Sequence, residues 1–144
     1  MNQVKLMKGY QEFLDSFIWD IYITVTFRRV TSAAAALRAF RYFFKRLNVP
    51  GQAFFRNYIR CVIFCEKQGY RDGVHIHGLI QGIGKDLAPL LEEKCRRSFG
   101  ESKVLPYNYE LPELASGYLA RKCISFSLEH WDYLKINSKH RSKT

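Results

Sequence analysis

The chain has 144 residues, 47% of them apolar and 15% aromatic, which is enough for one domain with a real core and too few for two. That composition excludes a disordered or fibrous chain, and charges such as Asp20, Arg28 and Arg60 interrupt the longer apolar stretches, so no membrane span is expected. Lys plus Arg number 23 against 13 Asp plus Glu, a net charge of +10 that attracts polyanions and makes nucleic acid the leading partner.

Met1 to Lys8 contain no apolar run followed by a small-residue cleavage site, so nothing marks the chain for secretion and a cytoplasmic location is expected. Leu6, Tyr10, Phe13, Leu14 and Phe17 recur at helical spacing and predict a short amphipathic helix. From Asp20 to Phe27 the pattern changes to alternation, with Ile21, Ile23, Val25 and Phe27 on one face and Tyr22, Thr24 and Thr26 on the other, which predicts a strand. Thr31 or Ser32 then caps a helix whose apolar stripe is Ala33, Leu37, Phe40, Phe44 and Leu47, and Asn48-Val-Pro-Gly51 stops it. Tyr58 to Glu66 and Gly73 to Gln81 form two further strands joined by the polar loop from Lys67 to Asp72.

A third helix is expected from Leu87 to Phe99, with Asp86 as cap and Pro89 in its first turn. An extended piece from Lys103 to Tyr109, a helix from Leu111 to Lys122 and a last strand from Ile124 to Leu128 follow. The order β-α-β-β-α-β-α-β predicts an α+β domain of ferredoxin-like or RRM-like type, a central antiparallel sheet with helices packed mainly on one face and the other face open to a ligand. The domain is expected over 1–136, with 137–144 a basic, flexible tail. Cys61, Cys65, Cys95 and Cys123 form no C-x-x-C pair, and Cys61 and Cys65 read as small buried hydrophobes.

The third strand holds the chemistry. His75 and His77 are separated by one residue, so on a strand they share a face, while Val74, Ile76 and Ile80 take the packed side. Two adjacent imidazoles are natural ligands for a divalent ion. On the neighbouring strand Ile59, Cys61, Ile63 and Cys65 form the inward set, which leaves Arg60, Val62, Phe64 and Glu66 on the histidine face, with Glu66 near His75. Two histidines and a carboxylate leave coordination positions open, as an ion that polarises a phosphate requires; the plainer reading of Glu66 is a strand-end carboxylate paired with Lys67 or Arg71. Gln81 shares this face as an extra ligand or a DNA contact. On the predicted last helix, Lys122 falls one turn beyond Tyr118 on the side that packs, either as a snorkelling lysine beside a core tyrosine or as a charged partner of a nucleophilic phenol.

Together these residues resemble the HUH endonucleases, in particular the rolling-circle replication initiator (Rep) proteins of small viruses and plasmids. Ile23-Thr-Val-Thr-Phe27 is similar to the first motif, His75-Ile-His77 to the histidine-hydrophobic-histidine motif, and Tyr118-Leu-Ala-Arg-Lys122 to the tyrosine helix with its downstream lysine. The resemblance runs from Trp19 to Lys122. It implies that His75, His77 and Glu66 bind Mg²⁺ or Mn²⁺, and that Tyr118, with Lys122 beside it, attacks a phosphate of single-stranded DNA at a replication origin, where a stem-loop is expected. The product is a 5′-phosphotyrosine and a free 3′-hydroxyl, and reversal rejoins the strand. Arg28, Arg29 and Arg121, with Tyr22 and Tyr58, are expected to contact the nucleic acid.

The resemblance also implies a host polymerase and helicase as partners, since no Gly-rich Lys-Ser/Thr loop is present, and a nuclease-only initiator or an excised nuclease domain. A eukaryotic viral origin would place it in the host nucleus. The oligomeric state is open, a dimer included. Two rivals stand beside this reading: a single-tyrosine HUH transposase of an insertion sequence, and a non-catalytic RRM-like module that stacks bases on aromatic side chains of its open sheet face.

Overall fold

A computed structural model describes residues 3–29, 32–47, 54–55, 57–68, 73–107 and 131–137. Five strands, β1 (Ile21–Thr26), β2 (Tyr58–Gln68), β3 (Gly73–Gln81), β4 (Ser102–Pro106) and β5 (Trp131–Asn137), form one antiparallel sheet in the order β4-β1-β3-β2-β5. Among the described residues the sheet is accompanied by the helices α1 (Gln3–Asp15), α2 (Ala33–Lys45) and α3 (Ala88–Ser98). This is the α+β, ferredoxin-like arrangement that the alternating patterns predict. Among the described residues no helix is long and apolar enough to cross a membrane.

Strand alternation decides what each sheet face carries. Ile21, Ile23 and Val25 of β1, Ile59, Cys61, Ile63 and Cys65 of β2, and Val74, Ile76 and Ile80 of β3 are all buried on the face covered by α2 and α3. From the helices come Ala36, Leu37, Phe40, Phe44, Leu91 and Cys95. Helix α2 begins where Ser32 accepts a hydrogen bond from the Ala35 N–H at 3.1 Å, so one of the two expected caps is the one used. Asp86 does not cap α3. It sits inside a 3₁₀ turn, Lys85–Leu87, that runs into the helix, and Leu87 occupies the cap position without a side-chain bond.

The second sheet face departs from expectation. Helix α1 lies against it, and a separate apolar cluster of Leu14, Trp19, Val62, Phe64, Leu79 and Tyr107 forms beneath, joined by Phe13, Phe17 and Tyr22. Trp19 is 1% exposed and donates its indole N–H to the Leu14 carbonyl at 2.6 Å, which ties the end of α1 to the start of β1. Phe13 and Phe17 meet the Tyr133 ring of β5 at centroid distances of 5.9 and 6.2 Å. The amphipathic lead-in thus covers the half of this face that carries Val62, Phe64 and Leu79.

The expected strand over 124–128 and the helix over 111–122 lie outside the described residues. Beside β2 the sheet carries β5, a strand not expected from the sequence, whose apolar alternation is broken by an inward-facing acid: Asp132 sits on the helix side and is held by Arg41 of α2 at 2.7 Å. Cys61, Cys65 and Cys95 are buried. Burial raises the Cys61 thiol well above its ordinary pKa, with Asp132 and Cys95 adding to the effect, and it pushes Cys95 up to about 12, with Glu92 as a further cause.

Candidate functional site

His75 and His77 project from β3 onto the second face, in register with Thr26 and Thr24 of β1 on one side and with Glu66 and Phe64 of β2 on the other. The pairing Glu66↔His75 sets the acid's backbone directly across from the first histidine, the register that inward packing of Cys65 requires. The Glu66 side chain lies outside what the structure describes. Both imidazoles are half-buried, and their rings stand 5.9 Å apart with planes inclined by 26°.

Hydroxyls on β1 meet the Nδ1 atoms. Thr26 Oγ1 lies 2.9 Å from His75 Nδ1, while His77 Nδ1 has the Tyr22 hydroxyl at 3.4 Å and Thr24 Oγ1 at 3.5 Å. The first is a full hydrogen bond and the other two are at the weak limit. When Nδ1 carries the proton and donates it to the threonine oxygen, Nε2 keeps its lone pair outward, the tautomer a metal ligand needs. These threonines were visible in the sequence only as the polar side of β1; pairing with β3 makes them partners of the histidines.

The donor types fit a hard or borderline divalent ion. Metal–imidazole bonds of about 2.1 Å place two ligand nitrogens no more than about 4 Å apart, so sharing one ion requires the two rings to turn a nitrogen toward each other. Among the described residues no group of three His, Cys, Asp or Glu stands within coordinating distance; the backbone of Glu66, the expected third ligand, pairs with His75. Gln81 does not extend this set. It lies four residues beyond His77 on the same strand, about 13 Å away along it, and its Oε1 accepts from Arg60 Nη1 at 2.6 Å.

The predicted nucleic-acid contacts divide. Arg28 and Arg29 follow β1 directly and are exposed at the His75 end of the sheet. Arg28 is also structural, since its guanidinium donates to the Arg96 and Arg97 carbonyls at 2.9 and 2.8 Å and closes the last turn of α3. Tyr22 is half-buried, its ring packed on the second cluster and its hydroxyl toward His77, so it supports the site more than it offers a stacking face. Tyr58 sits eight residues from Glu66 along β2, about 26 Å off, between the cations of Arg60 at 5.4 Å and Lys135 at 4.6 Å. It is not part of the histidine site. Tyr118, Arg121 and Lys122 lie outside the described residues.

The apolar cluster forms one wall of the site. Phe64 and Leu79 flank His77 on this face and are 0% exposed. Comparison of the chain with protein families, with curated proteins and with solved structures finds no match.

Proposed function

We propose that the protein is a metal-dependent, single-tyrosine DNA endonuclease that nicks and rejoins single-stranded DNA to initiate rolling-circle replication. The observation that carries the reading is the placement of His75 and His77 side by side on one sheet face with Glu66 in register opposite His75. His75, His77 and Glu66 would hold Mg²⁺ or Mn²⁺, which when bound supplies Lewis-acid polarisation of the scissile phosphate. Thr26, 2.9 Å from His75 Nδ1, would hold that imidazole in the ligand tautomer. The Tyr118 hydroxyl attacks phosphorus, the 3′-oxygen leaves, and Lys122 balances the charge that develops. The phosphotyrosine conserves the bond energy, so attack by a 3′-hydroxyl restores the strand and the free phenol.

A base-stacking module without catalysis is disfavoured by one observation: Phe64, the central-strand aromatic that would serve as platform, is buried beneath the α1 cluster. A transposase would share the chemistry and differ in substrate. Incubation with a pool of single-stranded oligonucleotides and Mn²⁺ is expected to yield a protein–DNA adduct stable in a denaturing gel. Tyr118→Phe should abolish the adduct while DNA binding persists, and His77→Ala should remove both metal dependence and activity. An adduct that survives Tyr118→Phe refutes the assigned nucleophile, and excised circles from hairpin-ended DNA would move the protein to the transposase class.

A further inference from the structure

On the helical side of the molecule, α2 and α3 do not close against each other. Between them lies a cavity of about 450 Å³ with Phe43 and Phe99 in its floor and Tyr42, Arg46, Lys94 and Arg97 around it. It shares Ala39, Ser98 and Phe99 with a second hollow of about 480 Å³ lined by Phe27, Arg28 and Arg29, so the two form one groove. Five of its lining side chains are basic and, among the described residues, none is acidic. The groove between β2 and the 3₁₀ turn, by contrast, carries Asp86.

The cations are arranged, not scattered. Arg46 donates to the Tyr42 hydroxyl at 3.0 Å, and its guanidinium lies 5.3 Å from the centroid of that ring, which is itself 62% exposed. Arg97 keeps one contact, Nε to Glu93 at 3.0 Å, yet its side chain is 79% exposed. A basic groove with an exposed aromatic and guanidinium platform matches the requirements of single-stranded nucleic acid, in which phosphates seek cations and unstacked bases seek flat π surfaces. A cavity of this volume admits a nucleotide-sized group. Duplex DNA presents no unstacked base to fill it.

The far mouth has a definite position. Phe27, Arg28 and Arg29 follow Thr26, the residue whose hydroxyl meets His75, so the groove opens at the end of the sheet where the histidines stand. We infer that the α2–α3 groove is a second binding site for single-stranded DNA, which passes from the histidine face around the end of β1 and lays its backbone along Arg28, Arg29, Lys94 and Arg46 with a base against Tyr42. The site rests on the nucleic-acid part of the proposed function and not on the nicking chemistry.

The test is fluorescence anisotropy of a labelled 20-nucleotide oligo(dT) in EDTA, so that no cleavage intervenes. Tyr42→Ala should weaken binding roughly five- to a hundredfold, the range for losing one stacked base, while Tyr42→Phe stays near the parent. Arg46→Ala with Lys94→Ala should reduce the slope of log affinity against log salt by about 1.4, two phosphate contacts on a single strand. Tyr42 and Arg46 are exposed, so matching thermal melts will show that the fold is intact. Unchanged affinity and slope in these variants, with the parent binding normally, overturn the groove alone. A parent that binds no single-stranded DNA overturns the groove and the nucleic-acid reading together. Duplex DNA or RNA that outcompetes the single strand overturns the assigned occupant. Absence of the Mn²⁺-dependent adduct, with groove-dependent binding preserved, refutes only the nuclease.

Discussion

Thr26→Val removes one oxygen from the candidate metal centre and leaves nearly everything else in place. Both side chains are β-branched and suit a strand, so β1 should keep its shape and its pairing with β3. What is lost is the 2.9 Å contact between Thr26 Oγ1 and His75 Nδ1, which restrains the ring's orientation. The hydrogen bond itself contributes about 1 kcal/mol to stability, whereas loss of such an outer partner of a histidine ligand costs roughly ten- to a hundredfold in metal affinity. Isothermal titration with Mn²⁺ measures the second quantity and urea unfolding the first. Thr24→Val is the internal control, because its contact to His77 is 3.5 Å long and shared with Tyr22, and it should change affinity much less. Equal effects of the two substitutions, or no effect of Thr26→Val where His75→Ala abolishes binding, would refute the assignment of Thr26 as the residue that positions His75.

Gly78→Ala should destabilise the protein by about 1–3 kcal/mol in denaturant unfolding, since a Cβ there would stand 2.9 Å from Ile63 Cγ2 and 3.1 Å from both Ile23 Cγ2 and the Val62 carbonyl oxygen, in a core with no slack. Arg28→Ala should lower stability by about 1–2 kcal/mol through loss of two bonds to the end of α3, as well as weaken DNA binding; a variant that binds less but melts unchanged would make Arg28 a DNA contact only. The buried thiols should resist alkylation in the native state. Because the Cys95 pKa is raised from 9.0 to about 12 on folding, its contribution is complete below pH 9 and is lost as the pH rises toward 12, so unfolding free energy should fall across that window and Cys95→Ala should flatten the decline.

Much of this architecture is legible in residue order alone, and the reason is periodicity. Ile21, Ile23 and Val25, or Ile59 through Cys65, can satisfy a buried face only as strands in one register, and that register puts His75, His77 and the backbone of Glu66 together before any contact is known. The α2 stripe is equally explicit, because Leu37, Phe40 and Phe44 have nowhere to go but onto the sheet.

Features that depend on residues far apart in the chain escape such a reading. Phe64 and Leu79 look like residues of an open face until Leu14 and Trp19 arrive from the other side of the sequence to cover them. Asp132 breaks the apolar alternation of β5, and only the approach of Arg41, 91 residues earlier, makes its inward position tolerable. Alternation alone leaves the Gln81 amide available for a ligand, but Arg60 on the next strand already engages it. In the same way, the groove that gathers Arg28, Arg46 and Lys94 exists because α2 and α3 dock on the sheet as neighbours. Local patterning states which face of each element must leave water; which partner meets it there is a property of the assembled chain, because pairing energies act across space and leave no period along the sequence.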